Sequence, residues 1–157
     1  MPETELKEGN AAPEIHSQDD KGQDFDLATL RGKNVILYFY PKADTPGCTK
    51  ESCEFRDASE KFKAKDTVIV GVSPDKAAAQ SKFKAKFDLP FTLLADADHS
   101  VAEAYGVWKE KSMYGKKYMG IDRTTFLIDA EGKIKKIFLK VKPEGHADLV
   151  YAALTTT

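Results

Sequence analysis

The sequence of 157 residues predicts one α/β domain built around a central mixed β-sheet that is flanked by helices. Residues 35–40 and 67–72 are nearly continuous β-favouring runs, which is typical of strands buried on both faces of a sheet. The segment between them has helical spacing, and this alternation recurs before a hairpin and a last helix. The whole chain, residues 1–157, is therefore expected to be a single domain.

The first predicted unit is a strand, a helix and a second strand. The strand at residues 35–40 precedes a helix from residue 46 to about residue 65, in which Phe55 and Phe62 lie on one side. The strand at residues 67–72 follows at once. Both strands are nearly continuous apolar runs, so we expect them in the centre of the sheet.

The remaining elements continue the alternation. Ser73-Pro74-Asp75 is a helix-start signal, Asp98 is expected to cap a short helix, and residues 109–120 are expected to form a loop. The other predicted elements are a helix that ends at residue 87, a strand at 91–94, a short helix that ends near 106, a hairpin of residues 125–128 and 134–141, and a helix from about 146 to 154.

Charge and hydropathy narrow the classes of partner. The chain has 24 basic and 25 acidic residues, and this balance offers no electrostatic footprint for nucleic acid or for an anionic membrane. Its apolar runs are far shorter than the roughly 20 residues of a membrane-spanning helix. The first residues have no apolar core of a signal peptide, so we expect a cytoplasmic protein with small-molecule or protein partners.

Two cysteines are present, and Cys48 lies where the first strand gives way to the first helix. Thr45 is a preferred N-cap residue, and Pro46 suits the first helical position because it lacks an N–H group. Cys48 would then occupy the third helical position, where free N–H groups and the helix dipole favour the thiolate. This pattern predicts a reactive thiol, and the alternative is an inert buried cysteine.

The spacing of five residues between Cys48 and Cys53 limits what the pair can do. In an intact helix their Cα atoms would be roughly 8 to 9 Å apart, whereas a disulfide needs them within about 7 Å. A redox cycle between them therefore requires the first helical turns to unwind. The same spacing, together with a reducing compartment, argues against a permanent structural disulfide.

A metal site is the other chemistry that cysteine can support. The three histidines, His16, His99 and His146, are scattered singly and have no ligand spacing around the cysteines. A Cys-x-x-Cys exchange motif is absent as well. The sequence therefore predicts neither a bound metal nor another cofactor.

Residues 41–48 have the pattern Pro-x-x-x-Thr-x-x-Cys, and they stand within a longer stretch from Gly32 to Asp57. This stretch resembles the active-site signature of the peroxiredoxins. The second cysteine, five residues after the first, makes it similar to their Q-type branch, the bacterioferritin comigratory proteins. The resemblance continues in residues 106–111, 120–129 and 142–146, and it covers the chain from about residue 8 to residue 154.

The resemblance implies a thioredoxin-like fold and thiol-dependent reduction of hydrogen peroxide and organic hydroperoxides. Cys48 matches the peroxidatic cysteine, and Cys53 matches the resolving cysteine of an intramolecular disulfide. Thr45 and Arg123 match polar partners of the thiol, and Pro41 matches the residue that shields it. Physical chemistry supports these matches, because a hydroxyl and a guanidinium can donate to a thiolate and to a leaving oxygen.

The resemblance also implies partners. Thioredoxin or a similar dithiol protein would reduce the disulfide, and a monomer would suffice because both cysteines lie in one chain. The alternative is a peroxide-sensing switch or partner-binding protein that uses the same disulfide without significant turnover. One departure from the family is Ile15-His16, which stands where an aromatic residue followed by a strand is usual.

Overall fold

The computed structural model describes residues 6–155 and contains a five-stranded sheet with smaller two-stranded sheets beside it. The strands are β1 (His16–Gln18), β2 (Asp24–Asp26), β3 (Asn34–Phe39), β4 (Thr67–Ser73), β5 (Thr92–Ala95), β6 (Trp108–Met113), β7 (Lys116–Ile121), β8 (Thr124–Ile128) and β9 (Ile134–Phe138). The helices are α1 (Pro46–Lys63), α2 (Ala77–Phe87), α3 (Ser100–Ala104) and α4 (His146–Thr155), with a 3-10 turn at Leu27–Leu30.

The central sheet has the strand order β5-β4-β3-β8-β9 and is mixed, as predicted. Strands β3, β4 and β5 are parallel, whereas β8 runs antiparallel to β3 and β9 antiparallel to β8. The carboxyl end of β3 therefore lies beside the beginning of β8. This arrangement brings the segment after residue 39 close to the residues that precede Thr124.

Side chains on the two faces of the central sheet form two separate apolar cores. Alternate residues of β3 point to opposite faces, so that Val35, Leu37 and Phe39 contribute to one core and Ile36 and Tyr38 to the other. Helices α1, α2 and α4 cover the second core. Their buried side chains there include Phe55, Ala58, Phe62, Phe83, Ala147 and Val150. Helix α1 is thus packed firmly against the sheet beyond its first turns.

The structure corrects the prediction of a loop at residues 109–120. Strands β6 and β7 form a hairpin there, and its turn contains Tyr114 and Gly115, both with positive φ. Both faces of the hairpin are largely exposed, and Tyr114 is 97% exposed. Because neither face is buried, the sequence lacks the alternation of apolar and polar residues that identifies a strand.

Two further predictions differ in detail. Asp98 does accept from the Ser100 N–H, but the carboxylate that binds the N–H groups of Val101 and Ala102 at the start of α3 is Asp96. The last strand, β9, ends at Phe138 rather than at residue 141. Despite the departure at Ile15-His16, an N-terminal strand is present as β1, which pairs with β2 over three residues. Among the described residues, no helix is long and apolar enough to cross a membrane.

Candidate active site

Residues 40–45 connect the carboxyl end of β3 to helix α1, and residues 41–45 form the loop directly before the helix. Thr45 has an extended backbone and is the N-cap, and Pro46 occupies the first helical turn, as the sequence predicts. Cys48 follows in this turn with only 1% of its surface exposed. Both Cys48 and Cys53 are free thiols. The helix therefore presents its unpaired N–H groups around a buried thiol, which is an arrangement that favours the thiolate.

In the structure, the hydroxyl of Thr45 bonds within the loop rather than to the start of α1. It donates to the carbonyl of Lys42 at 2.8 Å and makes no side-chain cap bond to α1. A hydroxyl has one proton, so this bond leaves it only as an acceptor in the present arrangement. Pro41 begins the same loop and is half-buried. Their roles toward a peroxide remain predictions.

Arg123 lies directly before β8, and its guanidinium reaches the first turn of α1. Its Nη2 atom donates to Cys48 Sγ at 3.3 Å, and its Nη1 atom donates to Glu51 Oε1 at 2.8 Å. Burial opposes the charge of Arg123, but the negative charges of Cys48 and Glu51 outweigh burial and raise the pKa of Arg123. One planar side chain thus joins the thiol to a second acidic group.

Glu51 is a site residue that the sequence argument missed. Its side chain is fully buried, and its second oxygen, Oε2, has no hydrogen-bond partner among the described residues. Burial raises the pKa of Glu51 to about 7, although Arg123 opposes the rise. The available signal was spacing, because residues three apart lie on the same side of a helix and Glu51 follows Cys48 by three.

Gly47 is the second residue that the sequence argument missed. A Cβ atom at this position would lie 3.1 Å from Arg123 Nη2 and 3.6 Å from Pro143 Cγ. The absence of a side chain therefore lets the guanidinium approach the backbone of the first turn. No sequence signal at Gly47 indicates this contact, because Arg123 is remote in the chain.

Cys53 lies in the same intact helix as Cys48 and is half-buried. Helix geometry separates their Cα atoms by roughly 8 to 9 Å, which is beyond the reach of a disulfide. Ser52, between them, shares a hydrogen bond of 2.8 Å with the buried hydroxyl of Tyr38. Formation of a disulfide would therefore require this part of the helix to leave its packed position.

His146 is a buried histidine near Arg123 and stands at the start of α4. Its Nε2 atom is 2.8 Å from the Thr125 hydroxyl, and its ring packs edge-on against Phe55 and Phe138. Burial, assisted by the charge of Arg123, lowers the pKa of His146 to about 4. A neutral imidazole is thus part of the core beside the site. Within residues 6–155, no three His, Cys, Asp or Glu side chains are grouped so that they could hold a metal ion.

Comparison with known proteins finds relatives that match this chain over most of its length. Residues 9–137 match the model of the AhpC/TSA family. The chain is 51% identical over 138 residues to peroxiredoxin Bcp of Bacillus subtilis, with 88% of each chain covered. It is 46% identical over 145 residues to peroxiredoxin Bcp of Escherichia coli, with 92% of this chain and 93% of the relative covered.

Solved structures with the same architecture include two bacterial proteins. One is the bacterioferritin comigratory protein of Xanthomonas campestris, described for its alkyl peroxide reduction activity, with 38% identity, a TM-score of 0.87 and 97% of both chains covered. The other is peroxidoxin BcpB of Mycobacterium tuberculosis, with 36% identity, a TM-score of 0.84, and 95% of this chain and 96% of that chain covered.

Proposed function

Because this chain belongs to the AhpC/TSA family and is a thiol-dependent peroxidase of the Q-type peroxiredoxins, we propose that Cys48 is the thiol that attacks the peroxide. The fold is thioredoxin-like, as the resemblance implied. The contact of 3.3 Å between Arg123 Nη2 and Cys48 Sγ carries the proposal. A guanidinium in this place favours the thiolate and can stabilise negative charge on the departing oxygen.

The first step oxidises Cys48. Its thiolate attacks one oxygen of a hydroperoxide, an S–O bond forms and the O–O bond breaks. The other oxygen takes a proton and leaves as water or as an alcohol, and Cys48 becomes a sulfenic acid. We assign Pro41 to shielding the thiol and Thr45 to a hydrogen bond with the attacked oxygen. Hydrogen peroxide and organic hydroperoxides are the proposed substrates, and the alkyl peroxide reduction described for the Xanthomonas relative supports the organic class.

The second step joins the two cysteines. The Cys53 thiolate attacks the sulfenic sulfur of Cys48, an S–S bond forms, and the oxygen leaves as water. Thioredoxin or a similar dithiol protein then reduces the disulfide by exchange and is itself oxidised to a disulfide. Because both cysteines belong to one chain, a monomer in the cytoplasm can complete the cycle.

Single-cysteine variants test these roles. Stopped-flow mixing of the reduced protein with peroxide measures the first step, and consumption of NADPH with thioredoxin and its reductase measures turnover. We expect Cys48→Ser to lose both activities. We expect Cys53→Ser to complete the first step, to lose cycling with thioredoxin and to accumulate overoxidised Cys48. Full peroxidase activity of Cys48→Ser would refute the assignment of the nucleophile.

A further inference from the structure

The loop before α1, residues 41–45, is contacted by α2 and by the segment that connects β4 to α2. The last residue before the loop, Tyr40, donates its hydroxyl to Gln80 of α2 at 2.7 Å. Asp44, within the loop, forms an ion pair of 2.8 Å with Lys86 at the other end of α2. Ala43 lies between Tyr40 and Asp44 in the chain, and its backbone N–H donates to the carboxylate of Asp75.

Asp75 accepts two short hydrogen bonds on one oxygen. Its Oδ2 atom receives the backbone N–H of Ala43 at 2.7 Å and the hydroxyl of Ser73 at 2.7 Å. Ser73 is fully buried at the end of β4, so the carboxylate is itself fixed to the sheet. Bonds from a carboxylate to N–H and O–H donors are among the stronger hydrogen bonds in proteins. The two hydrogen bonds of Asp75 therefore connect the backbone of the loop to the end of β4.

The three contacts of the loop differ in strength. The ion pair between Lys86 and Asp44 joins side chains that are 58% and 47% exposed, and such pairs contribute little in water. Asp75, by contrast, is half-buried, and its carboxylate accepts a hydrogen bond from the main-chain N–H of Ala43. Only two residues separate Ala43 from Pro46, with which α1 begins. A shift of Ala43 would therefore move the N-cap and the first turn that carries Cys48.

We propose that Asp75 is a positioning residue of the peroxidase reaction, which acts through Ala43 on the start of α1 and holds Cys48 against Arg123. The proposal rests on the assignment of Cys48 as nucleophile. Asp75 lies on a different element from the thiol and is 27 positions further along the chain, so it does not enter the reaction itself. Its contribution is to keep Thr45 at the N-cap and the N–H groups of the first turn directed at the sulfur.

The test uses Asp75→Ala and Asp75→Asn in full-length protein. Lys86→Ala is the matched control, because Lys86 of α2 contacts the same loop through Asp44. We expect Asp75→Ala to slow the reaction of Cys48 with peroxide by about tenfold, the effect of a barrier raised by about 1.4 kcal/mol. Asparagine can place its amide oxygen where Oδ2 lies and accept both bonds without charge, so a loss of about threefold is expected. Lys86→Ala should stay within about twofold of the unmodified protein.

A second measurement separates positioning from general loosening. In a Cys53→Ser background, alkylation of Cys48 by a neutral reagent is followed as a function of pH. Loss of the helix-start geometry shifts the curve toward higher pH, by about one unit for a tenfold effect. General unfolding would instead expose Cys48 and speed alkylation at every pH. Circular dichroism of each variant checks that it is folded.

The outcomes are distinguishable. If Asp75→Ala and Asp75→Asn react with peroxide at the unmodified rate and keep the unmodified alkylation curve, the proposal for Asp75 is wrong while Cys48 keeps its role. If Asp75→Ala does not fold, the folded asparagine variant decides by the same two measurements. If Cys48→Ser remains active, the proposed function itself fails, whatever Asp75 does.

Discussion

The guanidinium of Arg123 binds two acidic groups at once, and this is the central feature of the site at the level of single residues. Its two terminal nitrogens bind Cys48 Sγ and Glu51 Oε1 separately. Glu51 therefore fixes the plane of the guanidinium, and the fixed plane directs the second nitrogen at the thiol. The close approach at Gly47 leaves little room for another orientation.

The variant Arg123→Lys tests whether the planar guanidinium, with its two terminal nitrogens, contributes more to the reaction than its positive charge alone. A lysine ammonium is a compact charge without the planar fork, so it cannot hold Glu51 and Cys48 in the same geometry. We expect the second-order rate of Cys48 oxidation to fall by about a hundredfold, as for loss of one oriented donor. Arg56→Lys on the same helix is the matched control and should change the rate by less than about twofold. Equal rates for Arg123→Lys and the unmodified protein would show that charge alone suffices.

Individual site residues differ in how far the sequence identifies them. Thr45, Pro46 and Cys48 form a local pattern, and the structure places them at the helix start that the pattern indicates. Glu51 reads locally as one more charged residue on a polar helix, because its burial depends on Arg123, which is distant in the chain. Asp75 contacts Ala43 across 32 positions, and no local rule reports such a contact.

At the scale of elements, α1 is anchored unevenly along its length. Beyond Cys53, Glu54 accepts from the Gly145 N–H at 2.9 Å, and Arg56 donates to the Phe87 carbonyl at 2.9 Å. Phe55 and Phe62 are fully buried in the same part. Before Cys53, Cys48 is the residue that joins the apolar core, and the first turns also form hydrogen bonds to Arg123 and Tyr38. Polar contacts of this kind can open locally while the apolar part of the helix remains packed.

Oxidation should therefore unwind the beginning of α1 and stop near Glu54. We expect amide exchange to accelerate in residues 49–53, whose N–H groups are bonded within the helix, when the Cys48–Cys53 disulfide forms, and to stay slow in residues 55–62. Hydrogen exchange followed by mass spectrometry on peptides measures both segments. Cys53→Ser treated with the same peroxide is the control, since it cannot form the bond. Unchanged protection across residues 49–53 in protein with a proven disulfide would contradict this expectation.

The same scale shows why one element was predicted wrongly. Strands β3 and β4 were identified because burial on both faces makes most of their residues apolar. The β6–β7 hairpin has no such requirement, and its sequence is dominated by lysine and exposed tyrosine and methionine. Its strands pair with each other by backbone bonds, which leave no trace in side-chain hydropathy.

At the scale of the whole molecule, two buried groups beside the site give opposite dependences of stability on pH. The pKa of Glu51 is raised from 4.5 to about 7, so between these values the folded state keeps a proton that the unfolded state has lost. This group makes stability fall as pH rises. The pKa of His146 is lowered from 6.5 to about 4, so the unfolded state binds the extra proton there, and stability rises with pH.

The two dependences overlap between pH 4.5 and 6.5, where they oppose each other, and single substitutions should separate them. Relative to the unmodified protein, Glu51→Gln should gain stability as pH rises through this window, because His146 then acts alone. His146→Gln should lose stability over the same window, because Glu51 then acts alone. Each change amounts to up to about 1.4 kcal/mol per pH unit. Urea unfolding of the three proteins at a series of pH values measures it, and stability profiles that stay parallel would rule out the burial argument for both groups.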